Sequence, residues 1–190
     1  MATLTERIVS YCVRNNVISA SDEPWLRYGI EKRITLLLGF IPQLALATCL
    51  SNLPVAFSYM VSFSLLRRKT SGYHAKTPWG CLCTSMLLES LFFLGLYPYL
   101  DTALVLICNG LSILVIFCLA PYDHPNMHFD KAALRELRFR GRCMTLVLFS
   151  GTMICWYAGM LSVARGLTIG MTMTAFALWL AYFIDWRKNK

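Results

Sequence analysis

Apolar residues in this chain gather into long runs separated by short polar segments, and the runs set the architecture. Leu82 to Leu100, Thr102 to Ala120, Cys143 to Ser162 and Gly166 to Ile184 each approach the ~20 residues an α-helix needs to cross a hydrocarbon core. The run from Ile34 to Leu66 is too long for one straight span at about 1.5 Å per residue and short for two. Pro42, and the polar pair Ser51-Asn52 followed by Pro54, break it into two short helices forming a tight hairpin. The pattern predicts an all-α, polytopic membrane protein with about six transmembrane helices, the first two short and hairpin-like.

Ahead of these runs, Leu4, Ile8, Tyr11 and Cys12 fall at helical spacing on one face, opposite Glu6, Arg7 and Arg14. Residues 1–33 therefore read as a cytoplasmic amphipathic segment, its first helix either lying along the inner leaflet or packed as a plain cytosolic helix. Asp22-Glu23-Pro24 has the acids and the proline of a helix start. No cleavable signal peptide is expected, because the first apolar run lies behind some thirty polar residues. No internal repeat or low-complexity segment divides the chain, so 1–190 reads as a single membrane-embedded domain.

Composition agrees: 57% of the 190 residues are apolar and only 15% charged, against about 25% in soluble domains. Charge then orients the spans, since Lys and Arg are retained on the cytoplasmic side of short loops. The basic groups are Arg27/Lys32/Arg33, Arg67/Arg68/Lys69/Lys76, Lys131/Arg135/Arg138/Arg140/Arg142 and Arg187/Lys188/Lys190. Two spans separate each group from the next, so all four are expected inside, with both termini cytoplasmic and Arg165 alone outside. The formal charge of +8 is accounted for by topology and anionic lipid, and no nucleic-acid partner is needed. Most of the eight cysteines fall inside predicted spans, at no spacing typical of a disulfide framework or a zinc site.

Two cytoplasmic segments are polar enough to hold chemistry, 67–80 and 121–142. In the second, Asp130 to Arg142 has helical composition and a positive charge suited to lipid headgroups or an acidic peptide. The first carries His74 and, seven residues on, Cys81, a spacing that offers a nucleophile and its base. On an unbroken helix the two would stand about 10 Å apart along the axis, too far for direct proton transfer. Pro78 and Gly80 prevent that helix, so the loop is free to fold His74 over the start of the third span. Cys81 would then lie where unsatisfied N–H groups and the positive helix end favour a thiolate and an oxyanion. The bland alternative is an interfacial histidine near a buried thiol.

Arg67-Arg68, Ser71-Gly72-Tyr73-His74 and Cys81 resemble the signature of the accessory gene regulator B (AgrB) family, membrane cysteine endopeptidases of Gram-positive quorum sensing. The likeness covers most of the chain. It includes Ala120-Pro121-Tyr122-Asp123-His124-Pro125-Asn126, similar to the family's loop after the fourth span; Ser71 stands where the family usually has glycine. The resemblance implies that His74 and Cys81 are catalytic. It also implies that a short AgrD-like pro-peptide is cut on its C-terminal side through a thioester on the cysteine. An internal cysteine or serine of the peptide would then capture the acyl group, giving a thiolactone or lactone ring. Arg67, Arg68 and Lys76 are the expected substrate-binding cations, and an active site on the cytoplasmic side of the cell membrane follows. No cofactor is expected, and a homodimer is left open.

Several residues compete for roles. Cys83 is turned about 200° around the helix from Cys81, so both cannot face His74. Glu89 lies inside the third span, where an acid is costly and often functional, although a satisfied structural role is equally compatible. His124 and His128 with Asp123 or Asp130 lack the tight helical spacing of a metal site, and no metal is expected; Asp123 is a candidate to orient His74. The rival function is a small transporter or a scaffold whose basic loops bind lipid or a partner, for which mid-membrane polar groups and repeat symmetry would be the marks.

Overall fold

The computed structural model describes residues 2–15, 23–70, 78–122 and 131–188. Among them there are seven α-helices and no strand: α1 (Ala2–Arg14), α2 (Glu23–Leu50), α3 (Leu53–Thr70), α4 (Pro78–Gly95), α5 (Thr102–Leu119), α6 (Lys131–Tyr157) and α7 (Leu161–Lys188). The chain is an all-α polytopic membrane protein. Trp79–Tyr99, Thr102–Leu119 and Leu161–Arg187 are each long and apolar enough to cross a bilayer, and α2 adds a shorter apolar stretch, Gly39–Leu50.

The chain divides into two compact units, 1–42 and 43–190. In the first, α1 buries Thr5 and Val9 and leaves Ile8 and Tyr11 exposed, so the apolar face of the helix is only partly covered. Arg27 at the start of α2 pairs loosely with Glu6 of α1 at 3.9 Å, both side chains open to solvent. Such exposed pairs contribute little. Pro42, expected among the helix breakers, sits inside α2. Helices at membrane depth tolerate proline where neighbouring groups take up the freed carbonyl.

The second unit holds the bundle. The expected break at Ser51-Asn52 is where α2 ends and α3 begins, and Asn52 caps α3 by accepting from Val55 N at 3.1 Å. At the other end of α4, a single 3-10 turn (Tyr97–Tyr99) leads to Asp101, which caps α5 by accepting from Leu104 N at 2.7 Å. The basic segment expected in loop 121–142 is continuous with the apolar run after it, and α6 carries both. Gly159, at φ +78°, closes α6: Met160 N donates to Cys155 O at 2.8 Å and Gly159 N to Trp156 O at 3.1 Å, the two bonds of a Schellman motif.

The tightest crossing joins α3 to α7. Gly166 and Gly170 lie one turn apart on α7 and face Ser58 and Ser62 of α3, so the two backbones approach closely. Ser62 Oγ donates to Leu167 O at 3.3 Å, and Tyr59 OH to Met173 Sδ at 3.1 Å. α5 is fastened to α7 by Asn109 Nδ2 donating to Thr168 Oγ1 at 3.0 Å. Leu66, Ile116, Leu148, Met171 and Leu178 form an apolar core shared by α3, α5, α6 and α7.

Candidate active site

Pro78 opens α4, the position where a residue without an N–H costs a helix least. Cys81 follows within the first turn, half-buried, while Cys83 is exposed. One face of α4, at spacings of three and four, carries Cys81, Thr84, Ser85 and Leu88 into a cleft. Phe63 and Arg67, one turn apart on α3, form its second wall. Met173, Ala177 and Leu180 on α7 form the third. The cleft is narrow, with about 20 Å³ of room, enough for a water molecule. It is polar beside Cys81 and apolar toward Leu88 and Met173.

Arg67 is the cation of the Cys81 end. Burial pulls its guanidinium below the ordinary arginine range, and the nearby Cys81 opposes that shift. Arg68 is exposed on the next position of α3. His74 and Lys76, and with them Asp123, His124, Asp130 and His128, lie outside the described residues.

The segments carrying those residues nonetheless leave from one anchored point. Tyr122 N donates to Thr70 O at 3.0 Å, tying the third residue after α5 to the last residue of α3. The Tyr122 hydroxyl donates to the Asp185 carboxylate of α7, and its ring meets Tyr182 edge-on at 5.2 Å between centroids. At the same end Arg142 of α6 donates to Phe117 O at 2.8 Å and covers the Phe117 ring. Arg165 is at the opposite end of the bundle, donating to Leu100 O at 3.0 Å.

Comparison with known proteins adds to this geometry. Residues 5–183 match the family described as accessory gene regulator B. The chain belongs to that family. It is also 27% identical over 150 residues to a "Putative AgrB-like protein" of Clostridium beijerinckii, covering 77% of this chain and 75% of the relative. No solved structure matches. The AgrB family is a protease-like, peptide-processing family of membrane proteins, and membership points to a part in quorum-sensing peptide processing.

Within this AgrB-family chain, the structure brings Cys81 and Arg67 into one cleft and turns Cys83 away from it. Sequence reasoning missed the other walls. Their signal was present as the spacings Phe63/Arg67, Thr84/Leu88 and Met173/Ala177/Leu180, but apolar periodicity in a membrane helix does not say which face meets protein and which meets lipid. Asp185 was also missed, an acid among the basic residues that end the last span. Glu89 is fully buried on α4 near Tyr59 and the Ala47 backbone, and neither carboxylate oxygen meets hydrogen-bond geometry among the described residues.

Proposed function

We propose that this protein is a membrane cysteine endopeptidase that cuts an AgrD-like pro-peptide and closes its N-terminal part into a thiolactone or lactone ring. The observation that carries the reading is the setting of Cys81: half-buried in the first turn of α4, beside Arg67, in a cleft that Cys83 does not share. In this mechanism His74 takes the Cys81 thiol proton and the thiolate attacks the scissile carbonyl. N–H groups at the start of α4 receive the oxyanion. The C–N bond breaks, His74 protonates the departing amine, and a thioester on Cys81 remains. An internal Cys or Ser of the peptide then attacks the thioester, and the Cys81 thiol is released.

The reaction sits on the cytoplasmic face, where Arg68 and Lys76 join Arg67 in attracting an acidic stretch of the peptide, and the basic loops also hold anionic lipid. The test is processing of a synthetic pro-peptide by full-length protein in lipid nanodiscs. Cys81→Ala and His74→Ala are each expected to abolish it with insertion intact, while Cys83→Ala retains substantial activity, because a nucleophile and its base act as one unit. A dead Cys83→Ala beside an active Cys81→Ala would overturn the assignment. The transporter reading rests on Glu89 as a buried mid-span acid, and active Cys81→Ala and His74→Ala variants would favour it.

A further inference from the structure

Two residues at the Thr70 end of the bundle stand where local chemistry does not favour them. Asp185 falls in the last turn of α7, where the negative end of the helix opposes an acid. Tyr122 lies three residues beyond α5, in a connecting segment, yet it is buried in the core that Leu66, Leu178 and Ala181 share. Connections ordinarily run over the surface. The two residues explain one another, because the Tyr122 hydroxyl donates to the Asp185 carboxylate. Tyr122 also takes the carbonyl that ends α3: its N–H donates to Thr70 O at 3.0 Å. Thr70 is itself fully buried, its hydroxyl donating to Leu66 O at 3.1 Å. The last carbonyls of a helix have no partner within it, and one bonded to another element is held against fraying. Tyr122 thus clamps the end of α3 to the end of α7.

In the sequence His74 is four residues from Thr70 and four from Pro78. Extended chain covers at most about 14 Å over that length. Pro78 belongs to the helix that carries Cys81, so that root moves with the sulfur. Thr70 belongs to α3, so the placing of the histidine relative to the sulfur depends on how firmly the end of α3 is held. Arg67, on the wall of the Cys81 cleft, is one turn before Thr70 and shares its anchorage. We propose that Tyr122 and Asp185 are positioning residues of the cysteine site, which present His74 to Cys81 by locking the end of α3 against α7. The inference rests on the peptidase reading above. The pair acts through the helix end and not on the reacting atoms. A misplacement of about 1 Å at a catalytic group costs on the order of 100-fold in rate, so a hydroxyl remote from the thiol governs the chemistry.

The test uses full-length protein in nanodiscs and a synthetic pro-peptide. Tyr122→Phe and Asp185→Ala are each expected to lower kcat by about tenfold or more with KM within about twofold, because the step that needs His74 is lost and peptide binding is not. Asp185→Asn should recover most of the rate, since its amide oxygen still accepts from the Tyr122 hydroxyl. Arg165→Gln removes a hydrogen bond at the opposite end of the bundle and should leave kcat within about twofold. Alkylation of Cys81 by iodoacetamide near neutral pH then separates positioning from plain stabilisation. Tyr122→Phe and His74→Ala should each slow it several-fold with Cys83 unaffected, and the double variant should be no slower than His74→Ala alone. If Tyr122→Phe fails to fold, the Asp185→Ala and Asp185→Asn pair carries the same comparison. Additive slowing in the double variant, or Asp185→Asn as impaired as Asp185→Ala, would overturn the positioning role while leaving the peptidase intact. Absence of any processing by the wild-type protein would instead sink the peptidase reading, and the positioning role with it.

Discussion

A methyl group added at Gly170 tests whether the α3–α7 crossing holds the site together. A Cβ there would stand 2.7 Å from the Tyr59 carbonyl oxygen and 2.9 Å from the Phe63 backbone nitrogen. Both are main-chain atoms of α3 and cannot turn aside as a flexible side chain would. The two helices must separate by several tenths of an ångström, and a gap of about 0.5–1 Å already forfeits a quarter to a half of each contact's attraction. The Ser62–Leu167 and Tyr59–Met173 hydrogen bonds bridge the same interface and would stretch with it. Overpacking of this kind costs about 1–3 kcal/mol. Gly110 on α5 and Gly151 on α6 are the controls, because a Cβ at either meets nothing within 4 Å. There an alanine should gain roughly 0.5–1 kcal/mol from helix propensity. Reversible unfolding in bicelles reads all three variants. Gly170→Ala should also lower peptide processing, since Phe63 and Arg67 on α3 and Met173 and Ala177 on α7 are opposite walls of one cleft. A Gly170→Ala protein as stable as Gly110→Ala would refute the close crossing.

Other outcomes follow from the same geometry. Tyr122→Phe removes the hydroxyl that donates to Asp185, and should cost about 1.5–3 kcal/mol, the range for a hydrogen bond to a charged group, when measured by the same unfolding assay. Arg67→Gln should slow iodoacetamide alkylation of Cys81 several-fold near neutral pH and leave Cys83 unaffected; equal slowing at both thiols would argue against a specific Arg67–Cys81 pairing. Cysteines introduced in 67–80 and 121–142 should escape an impermeant maleimide added outside intact cells, and labelling of either segment would reverse the topology. A pro-peptide whose internal Cys or Ser is replaced by Ala should accumulate as an acyl adduct on Cys81 in intact mass spectrometry. Rapid release of linear acid from the unmodified peptide, with no adduct, would mark an ordinary hydrolase.

Helix positions were legible in the sequence wherever length and apolarity decide them. The Ser51-Asn52 break and the helices over Trp79–Tyr99, Thr102–Leu119 and Leu161–Arg187 follow from runs bounded by polar residues. Pro42 misled because proline reads as a breaker in water, where no neighbouring helix takes up the freed carbonyl. The joining of the basic segment to α6 was hidden by hydropathy, which marks where apolarity starts and not where the helix does. Cys81 stands apart from Cys83 in the sequence by its match to the family signature and by the turn of about 200° between the two on a helix. The cleft beside it was not legible, because Phe63, Leu88 and Met173 lie far apart in the chain and look like any lipid-facing residues. The Tyr122–Asp185 pair is of the same kind, joining residues that only the fold makes neighbours.

The helix that carries Cys81 is also the barest of the three clear spans. Only 11% of the apolar window of α4 is buried inside the protein, against 61% for α7. Glu89 and Phe93 point inward, while Leu87, Leu91 and Leu94 are left to the surroundings. Trp79 at one end and Tyr99 at the other are exposed, as aromatic residues are at the two membrane–water boundaries. Acyl chains therefore meet most of this helix directly. A thinner or thicker bilayer changes the tilt of a weakly packed span at a cost of only fractions of a kcal/mol per ångström of mismatch. Any such tilt raises or lowers the thiol against the headgroups, so on the peptidase proposal lipid chain length is expected to change the processing rate, which a series of nanodiscs of different acyl length would measure.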